Sequence, residues 1–339
     1  MSDVIRVLIA DDSATVRHYL HSLIHEANGF EIIGEARDGE EVVQMAQKLR
    51  PDVISMDIHM PRQNGLEATR EIMGLCPTPV VVVSGMLEDD IQLSLQALEA
   101  GALAVVSKPP DRANPDFPAR RQQLITTLRA MAGVRVISRR DLLTPDYSGV
   151  GSSTEPTRRT RPELVAIGAS TGGPSALHRL LQGLPNGFPV PIAIVQHMPH
   201  EFIPGLARWL DRSTSLEVKV AEEGMILRRG LVVIAPGNAH LMIARQGTNL
   251  VAQLQHTQGG ARYQPSVDLL FDSVARVCGS AALGVVLTGM GEDGAEGLLA
   301  MRRAGARTLV QDEASSTVFG MPQAALSRGA TRRAVPLSD

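Results

Sequence analysis

Apolar runs alternate with amphipathic stretches through the first half of the chain. The runs IRVLIA (5 to 10), FEIIGEA (30 to 36), VISMD (53 to 57), VVVVS (80 to 84) and ALAVVSK (102 to 108) are short and rich in β-branched residues, as buried strands are. Between them, apolar positions recur at helical spacing over about 14 to 27, 39 to 49, 65 to 75 and 88 to 100, with a last helix near 117 to 132. This alternation predicts a parallel sheet with helices on both faces, whose ligands gather at the carboxyl ends of the strands.

From 137 to 162 the periodicity fails. SRRDLLTPDYSGVGSSTEPTRRTRP is rich in Ser, Thr, Pro, Gly and Arg and reads as a tether, with Leu142, Leu143 and Tyr147 able to dock. Its arginines read as a solvated basic linker. Two domains follow from this break, 1 to 136 and 163 to 339, each large enough to bury its own core.

The second half opens on LVAIGASTGGPSAL (164 to 177): an apolar run, a glycine-rich turn, and a proline where a helix starts. VPIAIVQHMP (190 to 199) is a second buried strand, followed by helical EFIPGLARWLDRS (201 to 213). LEVKVA (216 to 221), LVVIAP (231 to 236), HLMIAR (240 to 245) and NLVAQLQ (249 to 255), broken by glycines, read as a hairpin-like insertion that could frame a groove. The loop HTQGGARYQPSVD (256 to 268) leads into a helix to Cys278 and is placed to contact substrate. LGVVLTG (283 to 289) is a further strand, and TLVQDEASSTVFGMP (308 to 322) is another with a polar loop, its Gln311 and Asp312 near the site. The second domain is therefore a doubly wound α/β unit with an inserted hairpin.

Composition narrows the class. The chain has 339 residues, 44% hydrophobic and 20% charged, as a soluble globular protein has. A net charge of -3 gives no reason to expect nucleic acid or an anionic membrane as partner. Two cysteines, Cys76 and Cys278, lie in different halves, which argues for a reducing compartment. MSDVIRVLIADDSA lacks a basic n-region, and no apolar stretch is long enough to span a bilayer, so a cytoplasmic protein is expected.

Reading only the carboxyl ends of the first five strands gives Asp11, Asp12, Asp57, Ser84 and Lys108. Three converging carboxylates repel one another unless a divalent cation joins them, and hard oxygen ligands suit Mg²⁺. A lysine and a hydroxyl beside them can hold phosphoryl oxygens. In the second half, Ser170 sits in the glycine-rich turn with small neighbours, as a nucleophile approached by a carbonyl requires; a turn that binds phosphate, or nothing, is the other reading. His197 ends the next strand and suits a general base. Its neighbour His200 makes an H-x-x-H spacing, but no Cys, Glu or third His completes a zinc set. Asp293 lies in a glycine-flanked loop after a strand, where it serves either as a helix cap or as the third member of a Ser-His-Asp set. Backbone N–H groups near Thr171 or Met290 are candidates for an oxyanion hole. The order Ser, His, Asp is not that of α/β-hydrolases, and GASTGG lacks the second glycine of a dinucleotide fingerprint.

Residues 4 to 130 resemble a response-regulator receiver domain, a flavodoxin-like fold with a five-stranded parallel sheet. Asp57-Ile58-His59-Met60-Pro61 and Ser107-Lys108-Pro109 carry the match. The resemblance implies that Asp57 accepts a phosphoryl group from a histidine kinase, that Asp11 and Asp12 help hold Mg²⁺, and that Ser84 and Lys108 sense the phosphate. It also implies a Lys-Pro bond that is cis in many such domains. Three departures stand out: Val105 replaces the usual aromatic switch residue, and His59 and Gln63-Asn64 replace the commoner residues of the phosphorylation loop.

Residues 163 to 330 resemble the catalytic domain of the chemotaxis protein-glutamate methylesterases, the CheB family, through GASTGGP, QHMP, PSVD, LTGMGEDGAEG and QDEASSTVFGMP. This implies hydrolysis of glutamate γ-methyl esters on methyl-accepting chemotaxis receptors, and deamidation of selected glutamines, by Ser170, His197 and Asp293 with no cofactor. Phosphorylation at Asp57 is then expected to uncover the Ser170 edge. Two other classes stay open: the same fold in a non-flagellar chemosensory pathway, and a phosphorylation-dependent binding module with an inactive second domain.

Overall fold

The computed structural model describes residues 4–85, 88–134, 136, 161–256 and 263–338. The expected tether, with Leu142, Leu143 and Tyr147, lies almost wholly outside the described residues, as do 257–262 of the glycine-rich loop.

The five apolar runs form one parallel sheet. Its strands are β1 (Ile5–Ala10), β2 (Phe30–Ala36), β3 (Val53–Met56), β4 (Val80–Ser84) and β5 (Ala104–Ser107), in the order β2-β1-β3-β4-β5. Crossovers run through α1 (Ala14–His25), α2 (Gly39–Leu49), α3 (Gly65–Leu75) and α4 (Glu88–Ala100), and α5 (Phe117–Ala132) closes the unit. Helix starts follow local chemistry. The side chains of Ser13 and Asp38 accept backbone N–H groups at the starts of α1 and α2, and Asn64 with Glu67 makes a reciprocal capping box at α3.

A second parallel sheet has seven strands: β6 (Leu164–Ala169), β7 (Ile192–Gln196), β8 (Glu217–Val220), β10 (Leu231–Ile234), β13 (Ala282–Val286), β14 (Arg307–Gln311) and β15 (Ala334–Val335), in the order β15-β14-β13-β6-β7-β10-β8. Its helices are α6 (Gly173–Gln182), α7 (Ile203–Ser213), α8 (Val267–Cys278), α9 (Ala295–Arg303) and α10 (Met321–Ser327). The hairpin-like insertion is smaller than the sequence implied. Only β9 (Ile226–Leu227), β11 (His240–Gln246) and β12 (Asn249–Gln255) form a separate antiparallel sheet, whereas β8 and β10 extend the main one. Phe202 and Phe271 are fully buried, each worth about 3 kcal/mol of apolar burial.

Both sheets reverse direction of growth beside their first strand, and open α/β sheets bind ligands outside the carboxyl ends at such a switch point. In the first sheet this lies between β1 and β3, in the second between β6 and β13. The two units touch through α4 against α6 and α7, where the Trp209 indole N–H donates to the Glu99 carboxylate. Arg120 of α5 bonds both Ser107 Oγ (3.3 Å) and Glu201 Oε1 (2.5 Å), the latter just before α7. Among the described residues the cis peptide bond is Gln264–Pro265, so Lys108–Pro109 does not take the cis form. Among them, too, no helix is long and apolar enough to cross a membrane.

Candidate functional site

Ser170 follows β6, and the turn after it is held by its backbone. The Ser170 N–H donates to Thr288 O (3.1 Å), while its carbonyl accepts from Gly173 N (2.9 Å) and Gln196 Nε2 (2.7 Å). Gly172 has φ +75 and starts α6; Gly173 is required by proximity, since a Cβ there would stand 2.0 Å from Gln196 Oε1. Gly289 does the same on the other side, where a Cβ would lie 2.7 Å from Ser170 Cβ.

His197 lands beside Ser170 because Ala169 pairs with Gln196 across parallel strands, which sets the next residues about 5 Å apart. The His197 N–H donates to Ala169 O at 2.9 Å. Ser170 and His197 line one cleft, and among the described residues the Ser170 hydroxyl makes no hydrogen bond. Thr171 and Met290 line it too, and neither of their N–H groups is engaged by a described acceptor. Such N–H groups can hold a developing oxyanion.

Asp293 follows β13 and is 3% exposed. It accepts from His197 Nε2 (2.8 Å), Ser266 Oγ (3.0 Å), Val267 N (2.7 Å) and Asp268 N (3.0 Å). Asp293 thus bonds the imidazole and caps a helix with the same carboxylate. The helix is α8, upstream in sequence, rather than the one that follows it. Burial alone would raise its carboxyl, but His197 and the N–H groups of Val267 and Asp268 hold it below the ordinary value. Burial, with Asp293 nearby, pushes Asp268 up to about 6.

Tyr263 was not singled out by the sequence. Tyr263 lies flat on the His197 ring, centroids 5.3 Å apart and planes 7° apart; a lone aromatic in a glycine-rich loop was the available signal. Gln311 does not line the cleft: it accepts Thr288 N (2.8 Å) and donates to Ser315 O (2.7 Å), bracing the turn behind Ser170. Asp312 turns instead to Ser315. His200 lines the cleft, with Nδ1 3.5 Å from a Glu201 oxygen.

At the first sheet, Asp11, Asp12 and Asp57 each offer an oxygen within 4.8 Å of the others. Lys108 Nζ reaches Asp11 Oδ2 at 2.8 Å and Asp57 Oδ1 at 3.0 Å. Burial, reinforced by Asp11 and opposed by Lys108, pushes Asp57 up to about 6, and the two carboxylates outweigh burial to raise Lys108. Among the described residues the Ser84 hydroxyl is buried without a partner. Three close oxygens and an orphan hydroxyl fit a hard divalent cation with a phosphoryl group beside it.

The edges meet across a cleft of about 680 Å³. One wall holds Ser170, His197 and Met290; the other holds Val105, Arg120 and Thr126 of the first unit.

Comparison with known proteins matches two family models to separate stretches of the chain. Residues 165–339 match the family model "CheB methylesterase", and residues 7–114 match "Response regulator receiver domain". The protein-glutamate methylesterase/protein-glutamine glutaminase 4 of Myxococcus xanthus is 47% identical over 339 residues, covering 100% of this chain and 95% of that one. A protein of the same name from Geobacter metallireducens is 42% identical over 98% of this chain and 96% of its own. The crystal structure of the Thermotoga maritima CheB methylesterase catalytic domain superposes with a TM-score of 0.51 at 37% identity, covering 52% of this chain and 94% of that one.

Proposed function

This chain belongs to the CheB methylesterase family, and on that premise we propose that it is a serine esterase hydrolysing glutamate γ-methyl esters on chemoreceptors, under control of its own receiver. The domains are a receiver over 1–136, a linker over 137–162 and an esterase over 163–339. One observation carries the reading: the part-buried His197 Nε2···Asp293 bond of 2.8 Å, one strand away from a serine hydroxyl unengaged among the described residues.

That bond fixes the proton. An ionised carboxylate accepts, so neutral His197 carries its hydrogen on Nε2, and the lone pair left to act as base is on Nδ1. Ser170 Oγ attacks the γ-carbonyl carbon as its proton passes to Nδ1. The N–H groups of Thr171 and Met290 hold the oxyanion. Methanol leaves with the proton from His197, and water then attacks the acyl-serine with the same base, releasing the glutamate carboxylate. A glutamine amide can follow the same path with ammonia as leaving group, as the relatives' glutaminase name suggests.

In the receiver, Asp57 is the phosphoryl acceptor from a histidine kinase, and Asp11, Asp12 and Asp57 are the residues that would hold Mg²⁺. When bound, the cation neutralises charge on the transferring phosphoryl oxygens. Lys108 and Ser84 meet those oxygens afterwards, and the buried orphan hydroxyl of Ser84 supports that role. The receiver wall across the cleft supports a blocked resting state, which phosphorylation shifts towards an open one.

Methanol release from methylated chemoreceptor tests the enzyme: Ser170→Ala is expected to lose it while Asp57 still takes up phosphate. Removing residues 1 to 137 is expected to raise the rate, and a truncated chain no faster than the unphosphorylated whole overturns the blocking arrangement.

A further inference from the structure

The His197–Asp293 bond anchors one corner of the imidazole, and a ring held at one corner can still tilt. A tilt about the Nε2···Oδ2 line swings Nδ1 away from Ser170. The contact that opposes this is Tyr263, whose ring is nearly parallel to the imidazole and lines the same cleft. Its backbone leads directly into Ser266, Val267 and Asp268, which grip both oxygens of Asp293. A single short stretch thus covers the ring and clamps the carboxylate that orients it. Gly291 makes room for this: its φ is +96, and a Cβ there would stand 2.9 Å from the Tyr263 hydroxyl oxygen.

Resting on the esterase reading above, we propose that Tyr263 is a positioning residue for His197, acting through the flat face of its ring rather than through its hydroxyl. Stacked aromatic faces prefer this offset parallel arrangement, and a π face attracts an imidazole that gains positive charge during attack. The stack therefore strengthens as the reaction proceeds, which places its effect on the chemical step rather than on binding.

The test uses the full chain and a fluorophosphonate probe. Ser170 Oγ forms a bond to phosphorus, fluoride leaves, and the serine proton passes to His197, so labelling reports the same general base. The maximal labelling rate in Tyr263→Leu is expected to fall about tenfold or more, with the half-saturating probe concentration little changed. Tyr263→Phe is expected to keep the parent rate. Parent-like labelling of the leucine chain, a phenylalanine chain as slow as the leucine one, or an effect confined to the half-saturating concentration overturns the proposal. If the leucine chain melts early, Tyr263→His decides, since it keeps a flat ring: parent-like labelling supports the stack and a tenfold loss overturns it. Ser170→Ala separates the two readings, because a labelled alanine chain removes the nucleophile assignment and leaves the His197–Tyr263 stack with no serine proton to accept.

Discussion

Asp57 and Asp293 occupy matching places, each buried just beyond a parallel strand and near the switch point of its sheet, yet their surroundings drive them in opposite directions. Asp293 receives the imidazole, a hydroxyl and two backbone N–H groups, and stays below the ordinary carboxylate value. Asp57 has Lys108 and one backbone N–H, with Asp11 pressing on it, and burial lifts it to about 6. A carboxylate saturated with donors is a fixture. One left short of them suits the cation and the phosphoryl group proposed for it.

The largest expected effect breaks one side of this contrast and spares the other. Ser170→Ala is expected to lower methanol release by roughly 10⁶-fold, while radiolabelled phosphoryl uptake by Asp57 stays at the parent level. Asp293→Asn should cost less in rate, roughly 10³- to 10⁴-fold, but it also replaces one of the two oxygens that accept N–H groups at the start of α8 with an amide that donates. Denaturant unfolding of that variant is expected to show a loss of about 1–2 kcal/mol.

At Asp57 the sign reverses. The folded carboxyl holds its proton more tightly than the unfolded one, so its ionisation lowers stability as pH rises from about 4 to about 6. Asp57→Asn is therefore expected to stabilise the receiver at pH 7 by on the order of 2 kcal/mol and hardly at all at pH 4, as read by unfolding midpoints. Phosphoryl uptake from a small-molecule donor should decline below about pH 6, where the nucleophile is protonated, and stop on chelation of Mg²⁺. The smallest effect lies between the two edges: Arg120→Ala removes the link from Ser107 to Glu201 and is expected to raise basal methanol release about two- to fivefold.

Much of this was legible because it is local. The β-branched runs become strands within a residue or two, and the helix over 65 to 75 carries its capping box in Asn64 and Glu67. Ser170, His197 and Asp293 could be read as strand-end residues, since a parallel sheet aligns its carboxyl ends. What escaped depends on partners distant in sequence. LEVKVA and LVVIAP look like hairpin strands until their parallel pairing with each other, and of β10 with β7, is known. The clamp on Asp293 uses the main chain of Val267 and Asp268, and a backbone donor has no signature in residue type. Gln311 and Asp312 read as site-lining because they end a strand, but β14 is one strand removed from the switch point and its end braces a loop.

The bond from Asp293 to the head of α8 ties the chemical duty proposed for it to an architectural one. A descendant that abandons ester hydrolysis can shed the alcohol at Ser170 with little harm to its fold. Losing the acid would unpin a helix on which Phe271 and Val274 are fully enclosed. Retired copies of this enzyme are thus expected to keep the aspartate long after the serine has drifted, and an aspartate found alone at this position marks ancestry rather than activity.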